Sequence, residues 1–181
     1  MMLFFYLCLG GILGLIVGYS WRYGITPTPT SAKVKKKLLQ ILPKRITGQI
    51  VELGSGWGTL AFSLAHHFPE SKVKAYEISP IPYFISQLIS KWLLYPNLHF
   101  IRQDFFDISL ENATLIVCYL YPGAMNRLKT KFERELKPEA YVLSHTFAIP
   151  GWTPISFTEV NDLYHTPIYL YRVGQSSTKG S

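Results

Sequence analysis

Residues 49–60 read Gln49-Ile50-Val51-Glu52-Leu53-Gly54-Ser55-Gly56-Trp57-Gly58-Thr59-Leu60, and no other stretch limits the fold so tightly. A short apolar run ends in an acid, glycine then recurs at every second position, and a helix-like run follows. Glycine permits the tight turn and lets a ligand approach the backbone. A strand, a glycine loop and a helix in this order make the first half of a βαβ unit, whose ligand lies outside the carboxyl end of the strand.

The rest of the chain keeps that rhythm. Strand-like runs cover residues 49–53, 72–76, 98–102, 114–120 and 140–146, and helix-like runs cover 59–68, 82–94 and 123–136. Alternation of this kind predicts an α/β domain with a Rossmann-like, doubly wound, mostly parallel sheet. Residues 155–160 and 168–173 are two β-like runs with no helical stretch between them, so an antiparallel pair is expected at one sheet edge. Before the domain, Ser31 is placed to cap a helix whose apolar face is Val34, Leu38, Leu39, Ile41 and Leu42, and Pro43 closes it.

The amino-terminal end is of another kind. Residues 1–20 carry no charged side chain, and about 20 apolar residues suffice to cross a bilayer. Trp21, Arg22 and Tyr23 follow, residue types that suit a membrane interface. No basic residue precedes the run and no small-residue cleavage site ends it, which argues against a secretory signal. The expected organisation is a transmembrane anchor at 1–23, a linker at 24–31, a domain at 32–174 and a polar tail at 175–181. Pro27 and Pro29 keep the linker extended.

Arg22, Lys33, Lys35, Lys36, Lys37, Lys44 and Arg45 follow the apolar run, which predicts a single-pass protein with its domain in the cytoplasm. This cluster reads equally as a solvated helix face or as a surface drawn to anionic lipid. Gly10, Gly14 and Gly18 form a small-residue stripe on which two such helices could pair as a homodimer. The net charge of +7 favours acidic partners without choosing among nucleic acid, lipid and protein. Cys8 and Cys118 read as free thiols, and His66 and His67 lack zinc-ligand spacing, so no metal is expected.

The glycine loop also bears on its ligand. A dinucleotide fingerprint, G-x-G-x-x-G, sets a pyrophosphate on the helix amino terminus. Here the spacing is E-x-G-x-G-x-G, and the Glu52 carboxylate would repel a phosphate. It suits an amino or cationic group, which points to S-adenosylmethionine. Glu77 ends the second strand, where an acid accepts from both ribose hydroxyls. Asp104 follows the third strand, placed to accept from the adenine amino group, with Ile78 or Phe105 over the ring. Each acid alone reads as a strand-end or capping residue; three at successive strand ends are harder to dismiss.

On these residues the chain resembles the class I methyltransferase family over about residues 46–173. The resemblance assigns Glu52, Gly54, Gly56 and Gly58 to the methionine end, Glu77 to the ribose, and Asp104 to the adenine, and Ser55 within the loop is a further cofactor-binding candidate. Trp57 departs from the small or acidic residue that many relatives carry. Further on, Tyr119-Leu120-Tyr121-Pro122, Leu128-Lys129-Thr130-Lys131-Phe132, Glu135-Leu136-Lys137-Pro138, Ser144-His145-Thr146-Phe147 and Ile149-Pro150-Gly151-Trp152 resemble a small membrane-anchored branch. That branch includes the ATP synthase c-subunit lysine methyltransferase.

The resemblance implies a protein-lysine acceptor on a membrane-associated protein. Tyr119 and Tyr121 follow the fourth strand's apolar run, next to where the methyl group should point, and are placed to line an aromatic acceptor channel. Strand-end packing is the competing role for both tyrosines. The fourth-strand motif is not the N/D-P-P-Y of enzymes that methylate planar amino groups, which disfavours nucleic acid. A small hydrophobic acceptor, a quinone precursor or lipid, is the alternative; a cofactor-binding membrane scaffold is the non-enzymatic one. His145 is expected in a structural role. Ser144 and His145 have no placed acid and do not suggest a hydrolase triad.

Overall fold

A computed structural model describes residues 29–175, together with Met2, Tyr6, Gly10, Gly11, Gly14 and Gly18, which are helical. Most of the predicted anchor, the linker up to Thr28, Cys8 and residues 176–181 of the tail lie outside the described residues. Among the described residues, no helix is long and apolar enough to cross a membrane.

Helix α1 spans Ala32–Ile41, and Ser31 Oγ accepts from the Val34 N–H at 3.3 Å, the cap expected from the sequence. Strand β1 (Gly48–Leu53) leads through the glycine loop into α2 (Thr59–His67), followed by β2 (Ser71–Tyr76) and α3 (Pro80–Leu93). Then come β3 (Leu98–Ile101), a 3₁₀ turn at Phe105–Asp107, β4 (Ala113–Cys118), α4 (Pro122–Glu135) and β5 (Tyr141–His145). Strands β6 (Ser156–Glu159) and β7 (Pro167–Arg172) close the sheet.

The seven strands lie in the order β3-β2-β1-β4-β5-β7-β6. Neighbours from β3 to β5 are parallel, and β7 runs antiparallel to both β5 and β6. This is the expected Rossmann-like sheet with its carboxy-terminal antiparallel edge.

Strand periodicity of two sorts the side chains into two cores. Ile50, Val73, Leu98, Leu115 and Leu143 face a layer holding Val34 and Leu38 of α1 and Leu60 and Leu64 of α2, with Tyr83 of α3 packed against it. Val51, Leu53, Ile116, Cys118 and Val142 face the other way, onto Met125, Leu128 and Phe132 of α4. The strand order reverses between β1 and β4, and the helices that follow these two strands lie on opposite faces. A crevice therefore opens at the carboxyl end of the sheet.

Strands β4 and β5 end earlier than the sequence runs suggest. Strand β5 stops at His145 because Thr146 takes φ of +71°, a conformation a β-branched residue rarely adopts. Strand β4 stops at Cys118, so Tyr119, Leu120 and Tyr121 form the connection into α4, with Tyr121 at its N-cap and Pro122 in the first turn.

Candidate active site

The crevice holds a cavity of about 300 Å³. Of the residues singled out from the sequence, Glu52, Gly54, Ser55, Gly56, Glu77, Ile78, Asp104, Phe105, Tyr119 and Tyr121 line it. Strand ends deliver them: β1 the glycine loop, β2 Glu77 and Ile78, β3 Asp104 and Phe105, β4 the tyrosines.

Gly54 and Gly56 take φ of +75° and +52°, which turns the chain over the sheet edge. The amides of Gly54 and Ser55 both donate to the Tyr76 carbonyl at 2.9 Å, which fastens the loop to β2. Glu77 secures its crest: one carboxylate oxygen accepts from the Gly56 N–H at 2.8 Å and the other from the Ser79 N–H at 2.7 Å. A loop amide that a pyrophosphate would need is thus held by a carboxylate, which disfavours a dinucleotide. Gly58 does not line the cavity. Its φ is +74°, and a Cβ there would stand 2.5 Å from the Phe100 ring and 3.0 Å from Ser86 Cβ. The missing side chain serves the contact of α2 with β3 and α3, so its role is packing.

Glu52 is buried, and its Oε2 has no hydrogen-bond partner among the described residues. Burial first, and the neighbouring Glu77 carboxylate second, push its pKa from 4.5 up to about 8. An orphaned acid of this kind calls for a donor or a cation. Ser55 Oγ, also buried in the cavity wall, lacks a partner among the described residues too. Asp104 spends Oδ1 on the Phe106 N–H at 2.9 Å, capping the 3₁₀ turn, and the residue lines the cavity. A cap and a place in the cavity wall coincide in one residue.

At the other end the walls are aromatic. Tyr121 is partly exposed, and Tyr119 stacks on His145 with ring centroids 4.2 Å apart and planes at 21°. Burial lowers the His145 pKa from 6.5 to about 4, so the ring is neutral at neutral pH. His145 does not line the cavity; it supports Tyr119 from behind, a structural role. Ser144 Oγ donates to the Phe147 carbonyl at 2.6 Å and builds no triad with it. Among the described residues, no group of three His, Cys, Asp or Glu is placed to hold a metal.

Residues 52–156 match the ANTKMT methyltransferase domain, which is more than half of the chain. The protein belongs to this methyltransferase family. A protein-lysine N-methyltransferase of Saccharolobus islandicus is 31% identical over 151 residues, covering 81% of this chain and 92% of that protein. The human ATP synthase c-subunit lysine N-methyltransferase is 27% identical over 128 residues, covering 70% of this chain and 53% of that protein. The chain thus spans only about half the length of this human relative. A crystal structure of an RNA methyltransferase from Salinibacter ruber, in complex with S-adenosyl-L-homocysteine, aligns with a TM-score of 0.75. At 23% identity, over 84% of this chain and 98% of that one, it speaks to the fold alone.

The enzyme is an S-adenosylmethionine-dependent methyltransferase, and its cavity fits that cofactor. The unpartnered Glu52 Oε2 and Ser55 Oγ suit the ammonium of the methionine end. The Glu77 carboxylate has lone pairs left for ribose hydroxyls, and Asp104 with Phe105 and Ile78 forms an acid beside apolar walls for a base.

The cavity has walls that sequence patterns do not reveal. Arg127 reaches it from mid-α4, its guanidinium 3.7 Å from the centroid of the Phe106 ring. Pro29 and Thr30, assigned to the linker, also line it, so the linker's end is part of the site.

Proposed function

We propose that this methyltransferase modifies a lysine on a membrane-associated protein, at the cytoplasmic bilayer surface, with residues 1–23 as its anchor. One observation carries the membrane side of this reading: Pro29 and Thr30 stand in the cofactor cavity wall. Only residues 24–28 separate them from the anchor, and an extended proline-containing linker reaches about 3 Å per residue. The cavity is therefore tethered close to the headgroups, where effective concentration replaces affinity for an acceptor in the same membrane. The basic residues from Arg22 to Arg45 favour the cytoplasmic side.

The lysine acceptor rests on the family and on the aromatic end of the cavity. When bound, S-adenosylmethionine supplies an electrophilic methyl group on a sulfonium. The chain has to bring in a lysine amine that is neutral and to align it. The Tyr119 and Tyr121 rings desolvate the arriving side chain, which disfavours its ammonium form. The same ring faces attract the positive charge that builds on nitrogen as the methyl group arrives. Stacking on His145 holds Tyr119 in place, and that neutral ring adds no repulsive charge.

The test is incubation of the purified full-length protein with methyl-labelled cofactor and membrane extract, sorting label into protein, lipid and RNA. Label should collect on protein lysine. Removing residues 1–21 should leave cofactor affinity intact and abolish most of that labelling. Label in lipid or quinone instead replaces the lysine reading with the small-molecule one.

A further inference from the structure

Helix α3 is turned the wrong way for a helix packed on a sheet. Towards the sheet it presents Pro82 and Ser86, both buried, with Tyr83, Gln87 and Ser90 half-buried beside them. Outward it presents Phe84, Ile85, Leu88, Ile89 and Trp92, all exposed, Trp92 by 83% and Leu88 by 60%. Spacings of three and four residues gather these side chains into one stripe along the helix, and exposed Leu93 and Leu94 extend it. Contiguous apolar surface of this kind marks an interaction site.

The charges around the stripe say what covers it. Helix α1 packs in the same layer, on the same face of the sheet, and exposes Lys33 and Lys36. Lys91 stands beside Trp92, also exposed. No acidic residue occurs anywhere from residue 1 to 51, nor from 78 to 103. Glu70, in the loop after α2, is paired with Arg45 at 3.5 Å. An apolar stripe with tryptophan, flanked by lysines and free of acids, matches the boundary between anionic headgroups and acyl chains. A second copy would bring the same lysines against themselves.

We propose that the α1–α3 layer is a membrane-docking face, with the α3 stripe inserted into the interface of an anionic bilayer. The proposal rests on the anchored reading above and adds a second contact with the membrane. Its consequence is orientation. Pro29 and Thr30 before α1, and Ile78 and Ser79 before α3, line the cavity, so both helices start at the cavity end. Laying their layer on the bilayer turns the cavity mouth along the membrane surface, where a lysine beside a transmembrane segment would meet it.

The test uses the full-length protein in lipid nanodiscs of phosphatidylcholine, with and without phosphatidylglycerol. Amide exchange across α3 should slow at least tenfold when the anionic lipid is present. Brominated acyl chains should quench a tryptophan component that Trp92→Tyr removes, and Leu88→Ser with Trp92→Ser should restore exchange while leaving cofactor affinity unchanged. Resistance to alkaline carbonate extraction reports the anchor separately, so loss of the anchor and loss of docking give different results. Equal exchange of α3 in both lipids, or quenching indifferent to Trp92→Tyr, overturns the proposal. So does photocrosslinking from position 88 to a second copy, to residues 1–20 or to another protein rather than to lipid.

Discussion

The two ends of the one cavity are built from different materials. The cofactor end is backbone and buried acid: a loop whose glycines take left-handed φ, fastened by Tyr76 and Glu77, with Glu52 desolvated behind it. The aromatic end, the proposed acceptor side, is side chain and partial exposure: Tyr119 braced by His145, and Tyr121 at a helix start. Specificity for the cofactor is therefore written into loop geometry and a few buried acids, which tolerate little change. On the function proposed above, choice of acceptor depends on two rings and on what brings the acceptor to them.

That contrast can be broken most severely at the loop crest. Gly56→Arg puts a long side chain on a residue at φ of +52° and into the cavity, so cofactor binding should vanish in calorimetry. Tight binding of NAD or ATP by the unaltered protein, with none of S-adenosylmethionine, would refute the cofactor assignment at that end. Glu77→Ala comes next. It removes the expected ribose acceptor and also frees the Gly56 and Ser79 amides, so affinity should fall about 10- to 100-fold, the range of one or two charge-assisted hydrogen bonds.

The third effect is one of pH. Without ligand the Glu52 carboxyl is protonated below about 8. A cationic ligand favours its ionised form, so binding must release a proton in that range. Affinity should climb with pH by up to about tenfold per unit and level off above 8, and titrations in buffers of different ionisation enthalpy count the proton. The same group makes the ligand-free protein lose stability as pH rises from 4.5 towards 8, because the unfolded chain gives up the proton first. Tyr121→Ala should give the smallest change: cofactor affinity within about twofold, transfer slowed about fivefold, roughly 1 kcal/mol on the barrier. Equal losses in both would erase the division between the two ends.

Much of this was legible because local pattern and tertiary role coincide. Glu52, Glu77 and Asp104 sit at strand ends that apolar runs announce, and the runs at 155–160 and 168–173 pair antiparallel as their lack of an intervening helix implies. Other parts were hidden for physical reasons. Arg127 is one cation on a charged helix, and only the approach of Phe106 after β3 makes it a cavity wall. Pro29 and Thr30 read as spacer, since proline forbids helix but says nothing of what the chain lies against. Gly58 belongs to the glycine pattern, yet its closeness to Phe100 joins residues far apart in sequence. The apolar content of α3 predicts a helix correctly, but cannot tell that its apolar side faces away from the sheet.

The identity of the acceptor is the most direct test of how the two ends work together. Membrane proteins from cells with and without this protein should be compared by quantitative mass spectrometry for lysine methylation, with lipids and quinones profiled from the same cells. Lysine methylation at one or a few membrane-protein sites should disappear with the enzyme and return with the active chain, but not with Gly56→Arg. Unchanged lysine methylation, alongside a lipid or quinone that has lost a methyl group, would contradict the lysine assignment.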